Sequence, residues 1–488
     1  MYQGVPLCTI LFMNLSERFG RLTRETLGPR SKDDLIGLVL ALAPLVQRVE
    51  VLEQEVAELK ARLGQDSRNS SKPPSSDPPW TTRPPKEPSG RRPGGQPGHP
   101  GVSRALAKKV EEVLELKPHR CRHCGRSLKG ADPSPDRHQV TELPPIVPHV
   151  TEYRLHTLAC EGCGHETRAT LPEGVPEGQF GPRLVATAGL LTGAYHLSKR
   201  AAQEILRDLF GVEMSLGALS GCEGKVGSLL EGPVSEAHEW AQEQPRAHAD
   251  ETGWKEGRRR PCPWLWTLVT SAVTVFLVRP RKKSAARELL GRFAGVLHRD
   301  RWGSYNVYRG RQQICWAHLL RDFESMTEFR GPAAGRIGQD LLNKGRRMFR
   351  LWEKVRDGTW DRGQFHKATR RLRSDLEGAL YAGAECGHQK MRQVCRRILR
   401  FVGDLWTFTQ EEGVEPTNNA AERAIRPAVL WRRKSFGTQS ERGSRFVERM
   451  LTVRATLRQQ DRNVVGYIAE VCARALTGQP LPSLLPVK

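Results

Sequence analysis

Thirty-five residues between Ser67 and Gly101 hold ten prolines and almost no aliphatic side chain. Each proline fixes a backbone dihedral and removes a hydrogen-bond donor, so neither helix nor sheet is sustained there. With so little to bury, such a stretch stays solvated. The chain is therefore expected to fold as separate pieces, joined by a basic Pro/Gly-rich linker over residues 66–104.

Ahead of the linker, apolar residues alternate at spacings of three and four: Leu35, Leu38, Leu42, Leu45, Val49, Leu52, Val56, Leu59 and Leu63. That is a heptad seam, flanked by charges such as Arg48, Glu53 and Glu55. A coiled coil over 35–65 is expected, making a homo-oligomer. Its best stretch starts at Pro44, since proline is tolerated in a first turn. The same pattern also suits an amphipathic helix packed on its own domain. Residues 1–34 carry no pattern and are unassigned.

The chain has 488 residues, with 77 Lys and Arg against 54 Asp and Glu, a formal charge of +23. At roughly 150 residues per domain that length suits about three domains. The charge calls for a polyanionic partner, nucleic acid above all. No apolar run reaches the roughly 18 residues that cross a membrane. The apolar segment at 35–45 lies too far along the chain for a signal peptide. Eleven cysteines, of which four stand in close pairs, suit a reducing cytoplasm better than a disulfide framework.

Those pairs are Cys121 with Cys124 and Cys160 with Cys163, each followed by glycine. Two such turns present four thiolates to one cation, which points to a structural Zn²⁺ in a small module over 105–175. Beyond it, Leu197–Phe210 reads as an amphipathic helix capped by Ser198. A turn led by Gly211 and a second helix capped by Ser215 follow. Two helices across a short turn make a helix-turn-helix over 182–232, with Lys199, Arg200 and Ser215 as DNA contacts.

From about 245 the pattern becomes strand, strand, strand, helix, strand: up to Asp250, then Pro263–Thr270, Val273–Val278, Ser284–Phe293 and Gly295–Asp300. This is the order of a ribonuclease-H-like fold, whose first and fourth strands are neighbours. Asp250 and Asp300 would then lie side by side. Adjacent carboxylates repel unless a divalent cation neutralises them. Two Mg²⁺ (or Mn²⁺) ions suit in-line attack on a phosphodiester. A third carboxylate completes such a cage, and Glu422, in the first turns of a helix capped by Asn418 or Asn419, is the candidate. A first-turn carboxylate is also ordinary helix chemistry. However, residues 421–450 hold eight Lys or Arg against three Glu, a bed for phosphates. Arg423, Arg426, Arg432, Arg433 and Lys434 are the candidate DNA contacts there. Cys315 and His318 read as a buried strand end and helix start beside this site.

Six sequence words carry a resemblance. They are NSSKPPSSD (Asn69–Asp77), GGQPGHPG (Gly94–Gly101), the paired CxxC turns, HADETGW (His248–Trp254), CWAHLLRDF (Cys315–Phe323) and TNNAAERAIRP (Thr417–Pro427). Together they make the chain similar to the insertion-sequence 66 transposases over roughly 35–475. The resemblance implies a multidomain α/β protein. Its parts would be a leucine-zipper-like N-terminus, a zinc module, a helix-turn-helix and a catalytic domain over 245–440. A helical insertion at about 325–410 and a C-terminal helical segment over 441–488 complete it. The resemblance also implies that Asp250, Asp300 and Glu422 form a DDE triad cutting and joining double-stranded DNA at transposon ends. It further implies a bacterial, nucleoid-associated setting and small accessory transposition proteins as partners. The alternatives are a catalytically decayed relative that only binds DNA, and a nuclease of the same fold without strand transfer.

Overall fold

The computed structural model describes residues 31–63, 104–258, 260–329 and 331–486. The expected 66–104 linker lies almost wholly outside them, as do the NSSKPPSSD and GGQPGHPG words. The chain divides into two units: residues 1–78 with 320–342, and 79–319 with 343–488.

In the first unit, α1 runs Lys32–Leu63 with Pro44 inside it. The expectation that Pro44 opens the helix is corrected. Ser31 opens it instead, its Oγ accepting from the Asp34 N–H at 3.2 Å. Asp33 and Asp34 stand in the positive first turn. Ile36, Leu40, Val49, Leu52 and Val56 are exposed on α1.

The second unit begins with two CxxC turns. A short hairpin, β1 (Thr157–Ala159) with β2 (Glu166–Arg168), flanks the second turn. Four helices follow: α2 (Pro182–Gly193), α3 (Lys199–Phe210), α4 (Leu216–Leu229) and α5 (Glu231–Ala241). Ser198 and Ser215 cap α3 and α4, accepting from Ala201 and Ala218, both at 3.1 Å. Gly211 ends α3 at φ 62°, the left-handed conformation glycine adopts without steric cost.

The central sheet comprises β3 (Arg246–Gly253), β4 (Trp264–Val269), β5 (Thr274–Arg279), β6 (Val296–Arg299) and β7 (Gln312–Ile314). Its order is β5-β4-β3-β6-β7. The first three strands form an antiparallel meander; β6 and β7 run parallel to β3. Helix α6 (Lys283–Leu290) makes the crossover from β5 to β6.

Side chains alternate across this sheet with period two. Ala247, Ala249, Trp266, Leu268, Val275 and Leu277 face a core shared with α2, α4, α5 and α6. Leu265, Phe276 and Val278 face the opposite way, against α12 (Asn419–Ser435) and α13 (Glu441–Gln459). With both faces covered, β4 and β5 read as nearly continuous apolar runs.

Helices α7 (Trp316–Thr327), α8 (Pro332–Arg356), α9 (Arg362–Ala368), α10 (Arg370–Glu385) and α11 (Gln389–Leu399) separate β7 from α12. In the second unit, Trp352 stacks edge-on against Phe365 and Phe408 at 5.3 and 4.9 Å. The last helix, α14 (Val464–Leu476), returns to pack on α2.

Phe446, Met450, Val453, Tyr467 and Ile468 of α13 and α14 share one core with Val185, Leu206 and Leu219 of the first helices. A Cβ on Gly193 would meet Phe446 Cζ and Met450 Cγ at 2.8 Å, so that crossing admits glycine alone. The segments read separately as 182–232, 245–440 and 441–488 are thus tied by shared packing.

Candidate active site

Strands β3 and β6 pair in parallel with a fixed offset: Arg246 with Val296, Ala247 with Leu297, His248 with His298. Continuing that offset two residues brings Asp250 level with Asp300, just past the end of β6. Adjacent strands lie about 4.8 Å apart. The sheet thus presents two carboxylates side by side, Asp250 within β3 and Asp300 just past the end of β6.

Asp250 is half-buried, its Oδ1 accepting from the Glu251 N–H at 2.9 Å. Burial drives its carboxyl well above the ordinary range, and the charges of Glu251, Asp300 and Glu422 add to the rise. Asp250 thus lies within electrostatic reach of both Asp300 and Glu422. Asp300 Oδ1 accepts from the Trp302 N–H at 2.8 Å, which orients it at the strand end.

Glu251 is a fourth acid that sequence reasoning missed. Its side chain is 2% exposed and pairs with Arg281 at 2.8 Å. Tyr305 donates its hydroxyl to it at 2.8 Å. Burial and Asp300 push its pKa up to about 7, against the pull of Arg281 and Tyr305. Arg281 is itself held between the rings of Trp264 and Trp302, 3.7 and 3.5 Å from their centroids. Glu251 was visible as an acid beside Asp250. Arg281 and Tyr305 lie 30 and 54 residues away and left no local signal.

Glu422 sits in the first turn of α12. Asn418 occupies the N-cap position, but its side chain makes no cap hydrogen bond, so the expected capping role is corrected. Its Nδ2 donates to Ala249 O at 2.8 Å and its Oδ1 meets His248 Nδ1 at 3.1 Å. Its backbone N–H donates to Cys315 Sγ at 3.2 Å. A single buried amide thus fastens the start of α12 to β3. His248 stacks on His298 with centroids 3.9 Å apart. Burial pushes His248 down to about 4 and His298 well below the ordinary range. Both rings are neutral at physiological pH and add no positive charge to the acidic cluster.

Among the described residues, one group of three His, Cys, Asp or Glu residues has its ligand atoms within 4.8 Å of one another. It comprises Cys315, His318 and Glu422. Asp250 and Asp300 are not members of that group.

The expected DNA contacts divide in two. On α12, Arg423, Arg426, Arg433 and Lys434 are exposed. The first three recur at helical spacing and form a stripe leading away from Glu422. Arg432 turns inward instead, donating to Thr252 Oγ1 at 3.1 Å and to Gly253 O. It ties α12 to β3 and is not placed to meet a phosphate. Near the expected helix-turn-helix, Arg200 and Ser215 are exposed. Lys199 bonds Ser220 at 2.6 Å and Glu223 at 3.0 Å. It lines a cleft with Arg442, Arg445 and Arg449 at the start of α13.

Both CxxC turns are formed. The N–H groups of Gly125 and Gly164 donate to Cys121 O and Cys160 O at 2.9 and 2.7 Å. Each glycine is left-handed, at φ 74° and 73°. Backbone N–H groups beside Cys121 and Cys160 lower both thiol pKa values, which suits thiolate ligands. The four sulfurs do not form a group within 4.8 Å. Each turn is shaped by its own backbone hydrogen bonds.

The fold and site define a mixed α/β protein, mostly helical, with a partly buried acidic cluster beside the end of β6. Residues 177–445 match the transposase IS66 family, more than half of the chain. The chain belongs to that family. Residues 29–105 match a second family, described as one of unknown function. Two relatives come from Sinorhizobium fredii (strain NBRC 101917 / NGR234). "Uncharacterized protein y4qI" is 25% identical over 424 residues, 78% of this chain and 76% of the relative. "Uncharacterized protein y4hP" is 26% identical over 415 residues, 75% of this chain and 72% of the relative. No helix among the described residues is long and apolar enough to cross a membrane.

Proposed function

We propose that this chain is a DDE-type transposase. In this reading it binds the terminal repeats of an insertion sequence and cleaves and joins DNA, using a ribonuclease-H-like core. The carrying observation is the crowding of negative charge on Asp250, by Glu251, Asp300 and Glu422, beside the end of β6. Such a cluster is costly unless cations neutralise it.

Asp250, Asp300 and Glu422 offer oxygen donors alone, a set that fits hard divalent ions such as Mg²⁺ or Mn²⁺. Two bound ions would supply the Lewis acidity for attack on a phosphodiester and for departure of the leaving oxygen. The chain's own residues set the geometry. Parallel pairing levels Asp250 with Asp300, and Asn418 fixes the start of α12 so that Glu422 faces them. Arg281 and Tyr305 hold Glu251 aside. The Arg423, Arg426, Arg433 and Lys434 stripe takes DNA phosphates leading into the site. The cleft lined by Lys199, Arg442, Arg445 and Arg449 takes a second stretch of backbone.

The remaining parts follow the same reading. Cys121, Cys124, Cys160 and Cys163 close on one Zn²⁺, and α1 pairs with a second copy through its exposed apolar seam. Small accessory proteins join the assembly, which works on the bacterial nucleoid.

The test is Mg²⁺- or Mn²⁺-dependent nicking of a labelled duplex carrying the element's own terminal repeat, with accessory proteins included. Wild-type protein should release a specific 3′ end. Asp250→Asn should lose at least about a hundredfold in rate, a loss of about 2.7 kcal/mol or more of transition-state stabilisation. Tight repeat binding without nicking by wild type would instead support the decayed, DNA-binding alternative.

A further inference from the structure

Cys315 follows the last residue of β7 and immediately precedes α7. It is 1% exposed. Backbone N–H groups of Asn418, His318 and Ala317 all donate to its sulfur. Two of those donors belong to the start of α7 and the third to the start of α12. Two helix starts therefore converge on one sulfur, while burial pushes its thiol pKa up to about 11, so the free site holds a neutral thiol.

His318 lies one helical turn beyond Cys315, its Nδ1 3.8 Å from Glu422 Oε1. The side chains grade outward, from buried Cys315 through His318 at 15% to Glu422 at 37% exposure. Ligand atoms sharing one tetrahedral zinc lie about 3.5 Å apart, given bond lengths near 2.0–2.3 Å. The observed separations, all within 4.8 Å, need only a small closure. Three protein donors with the fourth direction toward solvent is the pattern of an open zinc site.

We propose that Cys315, His318 and Glu422 form a binding site for one soft divalent cation, Zn²⁺ or its spectroscopic substitute Co²⁺. The donor set distinguishes it from the oxygen-only triad. Sulfur and imidazole select zinc-like ions and reject Mg²⁺. Binding forms a metal–sulfur bond and releases the Cys315 thiol proton to solvent. Glu422 belongs to both sets, so an ion on Cys315 and His318 withdraws that carboxylate from Asp250 and Asp300. The site thus gives zinc a means to silence the enzyme, an effect that rests on the proposed DDE reading; the binding itself does not.

The experiment is titration of the full chain with Co²⁺ in the absence of Mg²⁺, followed by thiolate-to-cobalt charge-transfer absorption. Wild type is compared with Cys315→Ser, His318→Gln and Glu422→Gln. Subtracting the Cys315→Ser spectrum removes any signal from Cys121, Cys124, Cys160 and Cys163. One equivalent of Cys315-dependent absorption is expected. His318→Gln and Glu422→Gln should each weaken its half-saturation about tenfold or more. Circular dichroism checks that each variant is folded; if Cys315→Ser is not, Glu422→Gln, at a side chain 37% exposed, and His318→Gln carry the comparison.

Equal Co²⁺ affinity and absorption in wild type and the folded variants would overturn the site. Protein that nicks DNA but lacks the Cys315-dependent signal would overturn it and leave the triad standing. Protein that shows the signal but does not nick would keep the soft-metal site and remove the triad.

Discussion

Asn418 binds three partners from two parts of the chain: Ala249 O and His248 on β3, and Cys315 Sγ before α7. It is 1% exposed, so a truncated side chain cannot be replaced by bulk water. Asn418→Ala leaves a buried carbonyl and a buried imidazole without their partner. It should cost about 2–4 kcal/mol in urea denaturation, roughly the desolvation of two orphaned groups. A loss under about 0.5 kcal/mol would mean the site is held by packing alone. His196 offers a separate test by pH. It lies at φ 59° and stacks on Trp431 at 4.8 Å. Burial first, then Arg454 and Lys434, push its pKa from 6.5 down to about 4. Folding therefore favours the neutral ring. The stability it supports is full above pH 6.5 and is lost as pH falls through about 4. His196→Asn tolerates the left-handed backbone. Its melting temperature should fall less than that of wild type between those two pH values. Parallel curves would remove His196 as the cause.

At the scale of elements, β5 is an edge strand whose outward N–H groups would be open to pairing with another chain. Helix α13 closes that edge with side chains. Thr456 Oγ1 accepts from Thr274 at 3.1 Å, Thr452 Oγ1 accepts from Phe276 at 3.0 Å, and Glu448 accepts from Val278. The match is geometric. Four residues of helix rise about 6 Å, and two residues of strand span about 6.7 Å. Arg279 and Arg445 balance the charge of buried Glu448 at 2.6 and 3.0 Å. Thr452→Val keeps the shape and removes the acceptor. It should cost about 1–3 kcal/mol, and Thr452→Ser should recover most of that. Equal stability of the Val and Ser variants would show that the Phe276 N–H needs no partner. None of this was legible beforehand, because the helix spacing of four and the strand spacing of two lie some 170 residues apart.

Across the whole molecule, the formal charge of +23 sets how DNA binding responds to salt. Each neutralised phosphate lowers the slope of log K against log salt by about 0.9. Replacing Arg423, Arg426, Arg433 and Lys434 together by Ala should flatten that slope by about 3–4. Arg432→Ala should act mainly on stability, since its guanidinium is bound to Thr252 and Gly253. A slope unchanged in the fourfold variant would move the DNA path off α12.

Read along the chain, several features were determined locally. Short apolar runs set β4, β5 and β6 within a residue or two, while the three-residue β7 left no such run. Ser198, Gly211 and Ser215 set the α3–α4 corner, because capping depends on residues three apart. Three carboxylates could be singled out because strand ends and helix starts leave local signatures. Tertiary structure decided the rest, since it depends on contacts between residues far apart in sequence. It joined α2–α5 to α13 and α14 in one core through a glycine crossing. It carried α1 through Pro44 and turned Asn418 from a cap into a bridge. It also added Glu251, Arg281 and Tyr305 to the acidic cluster and brought Cys315 and His318 against Glu422. Burial and charge act on whichever groups the fold brings close, and a spacing along the chain cannot state which those are.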